Sequence, residues 1–291
     1  RPLRVGRAFL AATLAAALFF LFLGGLEARE SRLPRVILGL YDSTEPYNRR
    51  PDHNLIHKNA AMVLNYLGMK MRYHDIAQGL PGEKELEDVH GILTWFLDEE
   101  MAGAEAYCRW AANEIQKGKK FVILGNMGAW ADQKTKETVP LGVAGEIYRA
   151  LGLEYEGDWT DNPLVIEVSG KDPRMVEFER TLDREAGLYE KIVSLSPENR
   201  VFLTLQRNDI PGSESAAVAI TPKGAVAMEN YVILLNHIDE TFRWRLNPFL
   251  FFEQAFGLEN RPRYDATTLF GRRIFYSHID GDGFENAAEF D

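Results

Sequence analysis

The sequence predicts a doubly wound α/β domain built on a mainly parallel sheet. From residue 35 to residue 151, short apolar runs alternate with amphipathic helical patterns, and such alternation is typical of βαβ units with right-handed crossovers. The runs are apolar on both faces, as the strands of a sheet covered by helices must be. Hydrophobic residues make up 46% of the chain and charged residues 26%, a composition typical of a globular protein.

The elements of this domain are predicted in chain order. Residues 35–42 (RVILGLYD) form a short run rich in β-branched and aromatic residues, which predicts a buried first strand. Asp52 is predicted to cap a helix that begins near His53 and ends at Gly68. Further strands are predicted at 70–75, 91–96 and 120–124, and further helices at 102–116 and 140–151.

The pattern changes in the second half of the domain. Short strands bounded by turn residues are predicted there, and they indicate an antiparallel extension of the same domain. A helix rich in aromatic residues at 242–256 and a linker at Asn260–Arg263 complete a domain that spans residues 30–265. We interpret its architecture as flavodoxin-like or amidotransferase-like. The strands of the extension are predicted at 164–168, 201–205, 216–220 and 232–235.

Charge and cysteine content exclude some classes of function. Lys and Arg total 33 and Asp and Glu total 43, so the net charge is −10. A surface for nucleic acid is therefore not predicted, because phosphate binding needs a concentrated positive field. The single cysteine, Cys108, excludes an intrachain disulfide framework, and its place in a predicted helix indicates a buried thiol.

An uncharged run at residues 8–26 predicts a membrane segment. It is long enough to cross about 30 Å of hydrocarbon as a helix, and it follows Arg1, Arg4 and Arg7. Residues 1–29 are therefore interpreted as a signal anchor, which would leave the protein membrane-anchored and facing the periplasm or cell exterior. The alternative is a cleaved signal peptide, for which the best nearby site is the tripeptide Leu26-Glu27-Ala28.

Several familiar sites are incomplete in the predicted α/β domain. The loop after the first strand, residues 42–46, lacks the glycines of a nucleotide-binding turn. The turn at Gly125–Gly128 has no nucleophile in the position that an amidotransferase or hydrolase needs. His53 and His57 share a predicted helix face, but no third metal ligand lies nearby. These patterns favour a binding or scaffold role for the domain.

Two acidic residues near the end of the chain form a candidate catalytic motif. Asp280 and Asp282 follow a predicted strand and are separated by Gly281. Two carboxylates this close can divide their roles, one holding a divalent cation while the other takes a proton from water. The alternative interpretation is an acidic turn or part of a calcium-binding loop, although the full calcium-loop spacing is not completed.

The segment Ser277-His-Ile-Asp-Gly-Asp-Gly-Phe284 resembles the first motif of carbohydrate deacetylases with the NodB-type fold, in the form found in PelA-type proteins of bacterial exopolysaccharide systems. The resemblance implies that residues 266–291 begin a (β/α) deacetylase barrel. It also implies that Asp280 is the catalytic base and Asp282 a ligand of a divalent metal, zinc or similar. The usual motif is Thr-Phe-Asp-Asp-Gly, and the additional Gly281 leaves open that the two roles are reversed.

These observations together predict the N-terminal part of an exported, membrane-anchored polysaccharide deacetylase-like protein, a hydrolase acting on N-acetyl sugars of the cell envelope or an exopolysaccharide. Its expected partners are the polysaccharide, the membrane through residues 8–26 and exopolysaccharide export machinery. Both ends look cut, so this chain alone is expected to be inactive. The alternative is a non-catalytic, amidotransferase-like binding or scaffold module of an envelope complex.

Overall fold

The computed structural model describes residues 34–46, 48–182, 187–236 and 241–263, and from Arg35 onward these residues belong to one compact unit. The predicted membrane segment at 8–26 and the predicted deacetylase motif at 277–284 lie outside the described residues.

One mixed sheet of eight strands forms the centre of the domain. Five neighbouring strands are parallel, and each of the next three runs antiparallel to the strand before it. The predicted α/β class and the antiparallel extension are therefore confirmed. In sheet order the strands are Lys70–Asp75 (β2), Val36–Tyr41 (β1), Val89–Thr94 (β3), Lys120–Leu124 (β5), Gly224–Ala227 (β12), Ser215–Thr221 (β11), Arg200–Arg207 (β10) and Ile166–Lys171 (β8).

Helices and three small two-stranded pairs surround this sheet. The helices are Ala61–Tyr66 (α1, preceded by a π-helical stretch, Ile56–Ala60), Glu83–Leu86 (α2), Ala104–Gln116 (α3), Leu141–Leu151 (α4), Pro173–Val176 (α5) and Pro248–Ala255 (α6). Short 3₁₀ segments lie at Ile76–Gln78 and Glu229–Tyr231. The strand pairs are Glu100–Met101 (β4) with Ala131–Asp132 (β6), Leu153–Thr160 (β7) with Tyr189–Ser194 (β9), and Ile233–Asn236 (β13) with Thr241–Trp244 (β14).

The core lies where the parallel strands meet the helices. The consecutive residues 121–124 of β5 are all buried, which means that both faces of this strand are covered. On α3, Tyr107, Cys108 and Ala111 are fully buried at helical spacing. Each large apolar side chain buried in this way contributes about 1.5–3 kcal/mol relative to exposure. The apolar runs in the sequence thus place β1, β2 and β5 correctly, whereas β3 begins and ends two residues earlier than predicted and β12 was not predicted.

Two predicted helices begin later than expected because asparagine caps them. Asn54 Oδ1 accepts a hydrogen bond from the backbone N–H of His57 at 2.8 Å, whereas Asp52 pairs with Arg50. The helix predicted at 242–256 begins at Pro248, where the side chain of Asn247 accepts from the backbone N–H of Leu250. A capping side chain and a proline at the first helical position together fix this start.

The predicted membrane anchorage needs correction. Within the ranges that the structure describes, no helix combines the length and the apolar character required to cross a bilayer. For this part of the chain, the prediction of a membrane-anchored protein with a transmembrane helix, facing the periplasm or cell exterior, is wrong. The longest of its helices, α3, has 13 residues and carries Glu105 and Arg109.

Candidate binding pocket

A cavity of about 480 Å³ opens at the carboxyl ends of the parallel strands. Glu99 follows β3, Gly125 and Asn126 follow β5, and Glu229 follows β12, and all four residues line the cavity. Ligands of open α/β sheets bind beyond the carboxyl ends of the strands, because the connecting loops diverge there. We call this cavity, with its lining residues, the carboxyl-end pocket.

The β7–β9 pair supplies a second wall, which is aromatic. Tyr155, Gly157 and Trp159 line the pocket from β7, whose register with β9 shifts between Tyr155 and Trp159. The ring of Trp130 packs against that of Tyr155, with centroids 4.6 Å apart. Trp159 remains 61% exposed, so its indole is free to contact a ligand.

Three glutamates give the pocket an acidic interior. Burial raises the pKa of Glu190 to about 7, and the charges of Glu229 and Glu99 add to this effect. Although Glu229 as a residue is exposed, the desolvation of its carboxyl group and the charge of Glu99 raise its pKa as well. No lysine or arginine occurs among the described residues that line the pocket. The carboxylates therefore repel one another without a compensating cation.

Glu190 is the most enclosed of the three acids. Its side chain accepts no hydrogen bond from any residue in the described ranges, while its backbone carbonyl accepts one from the hydroxyl of Ser215. In the register of the β7–β9 pair, Glu190 lies directly opposite Trp159. Directly opposed side chains lie on the same face of a strand pair. The pocket thus places a carboxylate that has no partner among the described residues beside an accessible indole.

The turn after β5 is built so that Asn126 reaches the pocket. Gly125 and Gly128 have φ of 66° and 80°, a region that favours glycine. Asn126 Oδ1 accepts from the backbone N–H of Gly128 at 2.8 Å, and a Cβ at Gly128 would lie 2.5 Å from Phe96. As the sequence indicates, this turn carries no nucleophile. The described lining also contains no cysteine, serine or histidine.

A second crevice, between β1 and β3, is filled by the protein itself. The chain moves from β1 to β2 on one side and to β3 on the other, which makes this crevice the switch point of the sheet. The Glu45 side chain is 2% exposed there and accepts from the backbone N–H groups of Leu97 and Asp98, at 2.9 and 3.1 Å. The side-chain amide of Asn48 also donates to Glu45. Glu45 therefore closes this position to a ligand.

The candidate residues predicted from the sequence either lie outside the described ranges or have structural contacts. Asp280 and Asp282 lie outside the described residues, so their roles stay predictions. Cys108 is fully buried, and burial raises the pKa of its thiol to about 12, so it is an unreactive core residue. His53 contacts Arg50, whereas His57 Nδ1 lies 2.9 Å from the hydroxyl of Tyr73. No group of three potential ligands in the described part of the chain could hold a metal.

The sequence interpretation missed the carboxyl-end pocket. The signal was present in residues 153–160, LEYEGDWT, where apolar and aromatic residues alternate with the acidic residues Glu154, Glu156 and Asp158. Glu190 lies in the partner strand, and Glu229 follows the short strand β12, which is only four residues long. These positions are far apart in the chain, so no local motif brings them together.

Comparisons with known proteins give structural likenesses only. No protein-family model and no curated protein matches this sequence. A β-galactosidase from Rahnella sp. R3 is similar over 79% of this chain and 32% of its own length, with 15% identity and a TM-score of 0.44. A β-galactosidase from Bacillus circulans is similar over 78% of this chain and 30% of its own, with 14% identity and a TM-score of 0.35.

A glutamine amidotransferase from Thermotoga maritima is similar over 67% of this chain and 74% of its own, with 10% identity and a TM-score of 0.33. This chain spans about a third of either β-galactosidase. The identities and TM-scores are too low for these likenesses to indicate a function.

Proposed function

We propose that residues 35–263 form a saccharide-binding domain in a polysaccharide deacetylase-like protein, with an architecture of the amidotransferase-like kind. The observation that carries the proposal is the carboxyl-end pocket, which combines the exposed indole of Trp159 with the carboxylates of Glu99, Glu190 and Glu229. Its volume of about 480 Å³ lies in the range of small-molecule sites.

The chemistry of the pocket suits a sugar ring. A pyranose presents C–H groups on its faces and hydroxyl groups around its edge. The C–H faces stack on aromatic rings such as Trp159, and the hydroxyl groups donate to acceptors such as the carboxylate of Glu190. The described lining offers no nucleophile for amidotransferase chemistry, which favours binding over catalysis at this position.

The deacetylase part of the proposal rests on the motif at 277–284, with Asp280 as base and Asp282 as metal ligand. In this arrangement the pocket holds one part of an amino-sugar polymer while acetyl groups are removed from N-acetyl sugars elsewhere in the protein. Acetate release and metal content of the intact protein, compared with Asp280→Asn and Asp282→Asn, test this part. Full activity in both variants would contradict it.

Binding to the pocket is tested by calorimetry with oligosaccharides of N-acetylated and de-N-acetylated amino sugars. Trp159→Ala should weaken binding about tenfold, because it removes the aromatic face on which the sugar stacks. A tenfold loss corresponds to about 1.4 kcal/mol of binding free energy. Leu164→Ala is the matched control, since Leu164 is 83% exposed and does not line the pocket. Absence of binding to either type of oligosaccharide, or equal effects of both variants, would contradict the proposal.

A further inference from the structure

We infer that the carboxyl-end pocket selects amino sugars whose nitrogen is free of acetyl and protonated, rather than N-acetylated sugars. The inference rests on the proposed saccharide binding and adds its chemical selectivity. It starts from the three lining glutamates, whose charges are not balanced by any lysine or arginine among the described lining residues. A ligand that brings one positive charge would relieve the repulsion among them.

Two basic side chains near the pocket are engaged with other acids. Arg207 pairs with Asp158 and Asp209, both at 2.9 Å. Lys136 pairs with Glu100. Their partners Asp158 and Glu100 adjoin pocket residues in the chain without lining the pocket, so the charges of these two cations are directed to carboxylates outside the lining. The acidic interior is therefore left for a ligand to neutralise.

The position of Glu190 specifies which kind of cation fits. Its carboxylate has no hydrogen-bond donor among the described residues, and it lies opposite Trp159 in the strand register. A sugar ring stacked on that indole can place an ammonium group toward Glu190, where a charge-assisted hydrogen bond forms. An ammonium ion near an indole face also gains from a cation–π interaction.

The spread of the acids argues against a bare metal ion as the occupant. The described residues contain no group of three His, Cys, Asp or Glu side chains close enough to bind a metal. Glu99 lies between β3 and β4, Glu190 in β9 and Glu229 in the 3₁₀ segment after β12, all around a cavity of about 480 Å³. A cavity of this size with dispersed carboxylates fits an organic cation with an apolar face.

Because the pKa of Glu190 is raised, the preference for the protonated amino sugar depends on the ionisation state of the Glu190 carboxyl group. A bound ammonium favours the charged carboxylate and so lowers the pKa of this group, which means that binding the cation releases protons near neutral pH. Proton uptake or release can be read from calorimetry in two buffers of different ionisation heat.

The experiment compares two oligosaccharides of the same length, one fully N-acetylated and one fully de-N-acetylated, by calorimetry at pH 6.5. The wild-type protein is expected to bind the de-N-acetylated one at least tenfold more tightly. Glu190→Gln keeps the shape and removes the charge, so it should abolish this preference while still binding the N-acetylated oligosaccharide. Glu198→Gln is the matched control, because Glu198 is exposed and outside the pocket.

Three outcomes separate the inference from the proposed function. Equal wild-type affinity for both oligosaccharides would overturn the selectivity but leave saccharide binding in place. Binding of neither would overturn both. A preference that Glu198→Gln reduces as much as Glu190→Gln would reflect the net negative charge of the protein and would also overturn the inference. If Glu190→Gln does not fold, Glu229→Gln at the pocket rim provides the same comparison.

Discussion

Two crevices at the carboxyl ends of the strands each contain a glutamate whose pKa burial raises to about 7, yet their surroundings differ. Glu45, between β1 and β3, accepts hydrogen bonds from two backbone N–H groups and from Asn48. Glu190, in the carboxyl-end pocket, has no donor from the described residues and faces two other acids. The comparison shows that a raised pKa alone does not mark a binding site. Hydrogen-bond donors distinguish a structural carboxylate from one that lacks a partner.

Asn48 is the side-chain hydrogen-bond partner of Glu45 in this crevice. Asn48 is fully buried, and its Oδ1 has no hydrogen-bond partner within the described structure. Rotation of the amide would exchange its oxygen and nitrogen, so that protonated Glu45 could donate to Oδ1. The pair thus accommodates both ionisation states of Glu45 without a ligand.

The largest effect is expected from Glu45→Ala. The change leaves the backbone N–H groups of Leu97 and Asp98 without their acceptor and opens a cavity, so stability should fall by about 2–4 kcal/mol. Urea unfolding at pH 5.5 measures the loss. Glu45→Gln, which keeps an acceptor oxygen, should lose much less. A loss below about 1 kcal/mol for Glu45→Ala would contradict the structural role of this carboxylate.

A smaller effect is expected in the pH dependence of stability. Between pH 4.5 and about 7, folded Glu190 holds a proton that the unfolded chain releases, so its contribution to stability decreases as pH rises and levels off above the folded pKa. Glu190→Gln should therefore gain stability relative to wild type across this interval, by about 1–3 kcal/mol.

The quantity to measure is the difference between Glu190→Gln and wild type, from urea unfolding at several pH values. Burial lowers the pKa of His90, which contributes with the opposite sign near pH 6, and the subtraction removes that contribution. A difference that stays constant from pH 4.5 to 8 would show that the Glu190 carboxyl group is not desolvated.

The smallest effect on stability is expected from Trp159→Ala. Because the side chain is 61% exposed, its removal should change the free energy of unfolding by less than about 0.5 kcal/mol. A small change in stability together with the tenfold loss of saccharide affinity proposed above would show that Trp159 contributes to binding and not to folding. Thermal unfolding with and without oligosaccharide makes the comparison, and a large loss of stability without ligand would instead assign Trp159 a packing role.

The sequence predicted the parallel half of the sheet well because its strands are continuous apolar runs. The strands at 70–75 and 120–124 have the predicted bounds. The helix Leu141–Leu151 ends at Gly152, as expected. The short strand β12 was not predicted, since the four residues GAVA lack the bulk that marks a buried strand and are recognisable only from their pairing with β5.

The pocket could not be predicted for a related reason. β7 and β9 were also not predicted, because their alternating acidic and aromatic residues resemble an exposed segment until the two strands pair. That Glu190 has no partner within the described ranges is a property of three-dimensional packing, and no motif in the chain records it. The motif at Asp280 and Asp282, which stays a prediction, could by contrast be proposed from the sequence because its residues are contiguous.

The pairing of β5 with β12 also determines when the pocket can form during folding. Leu124 ends β5 and Gly224 begins β12, so a long stretch of chain must be closed into a loop before these neighbours meet. Non-local pairings of this kind form slowly compared with local helices. During synthesis from the N-terminus, Gly125 and Asn126 therefore emerge well before Glu229, and the nascent chain lacks the Glu229 side of the pocket until β12 is made.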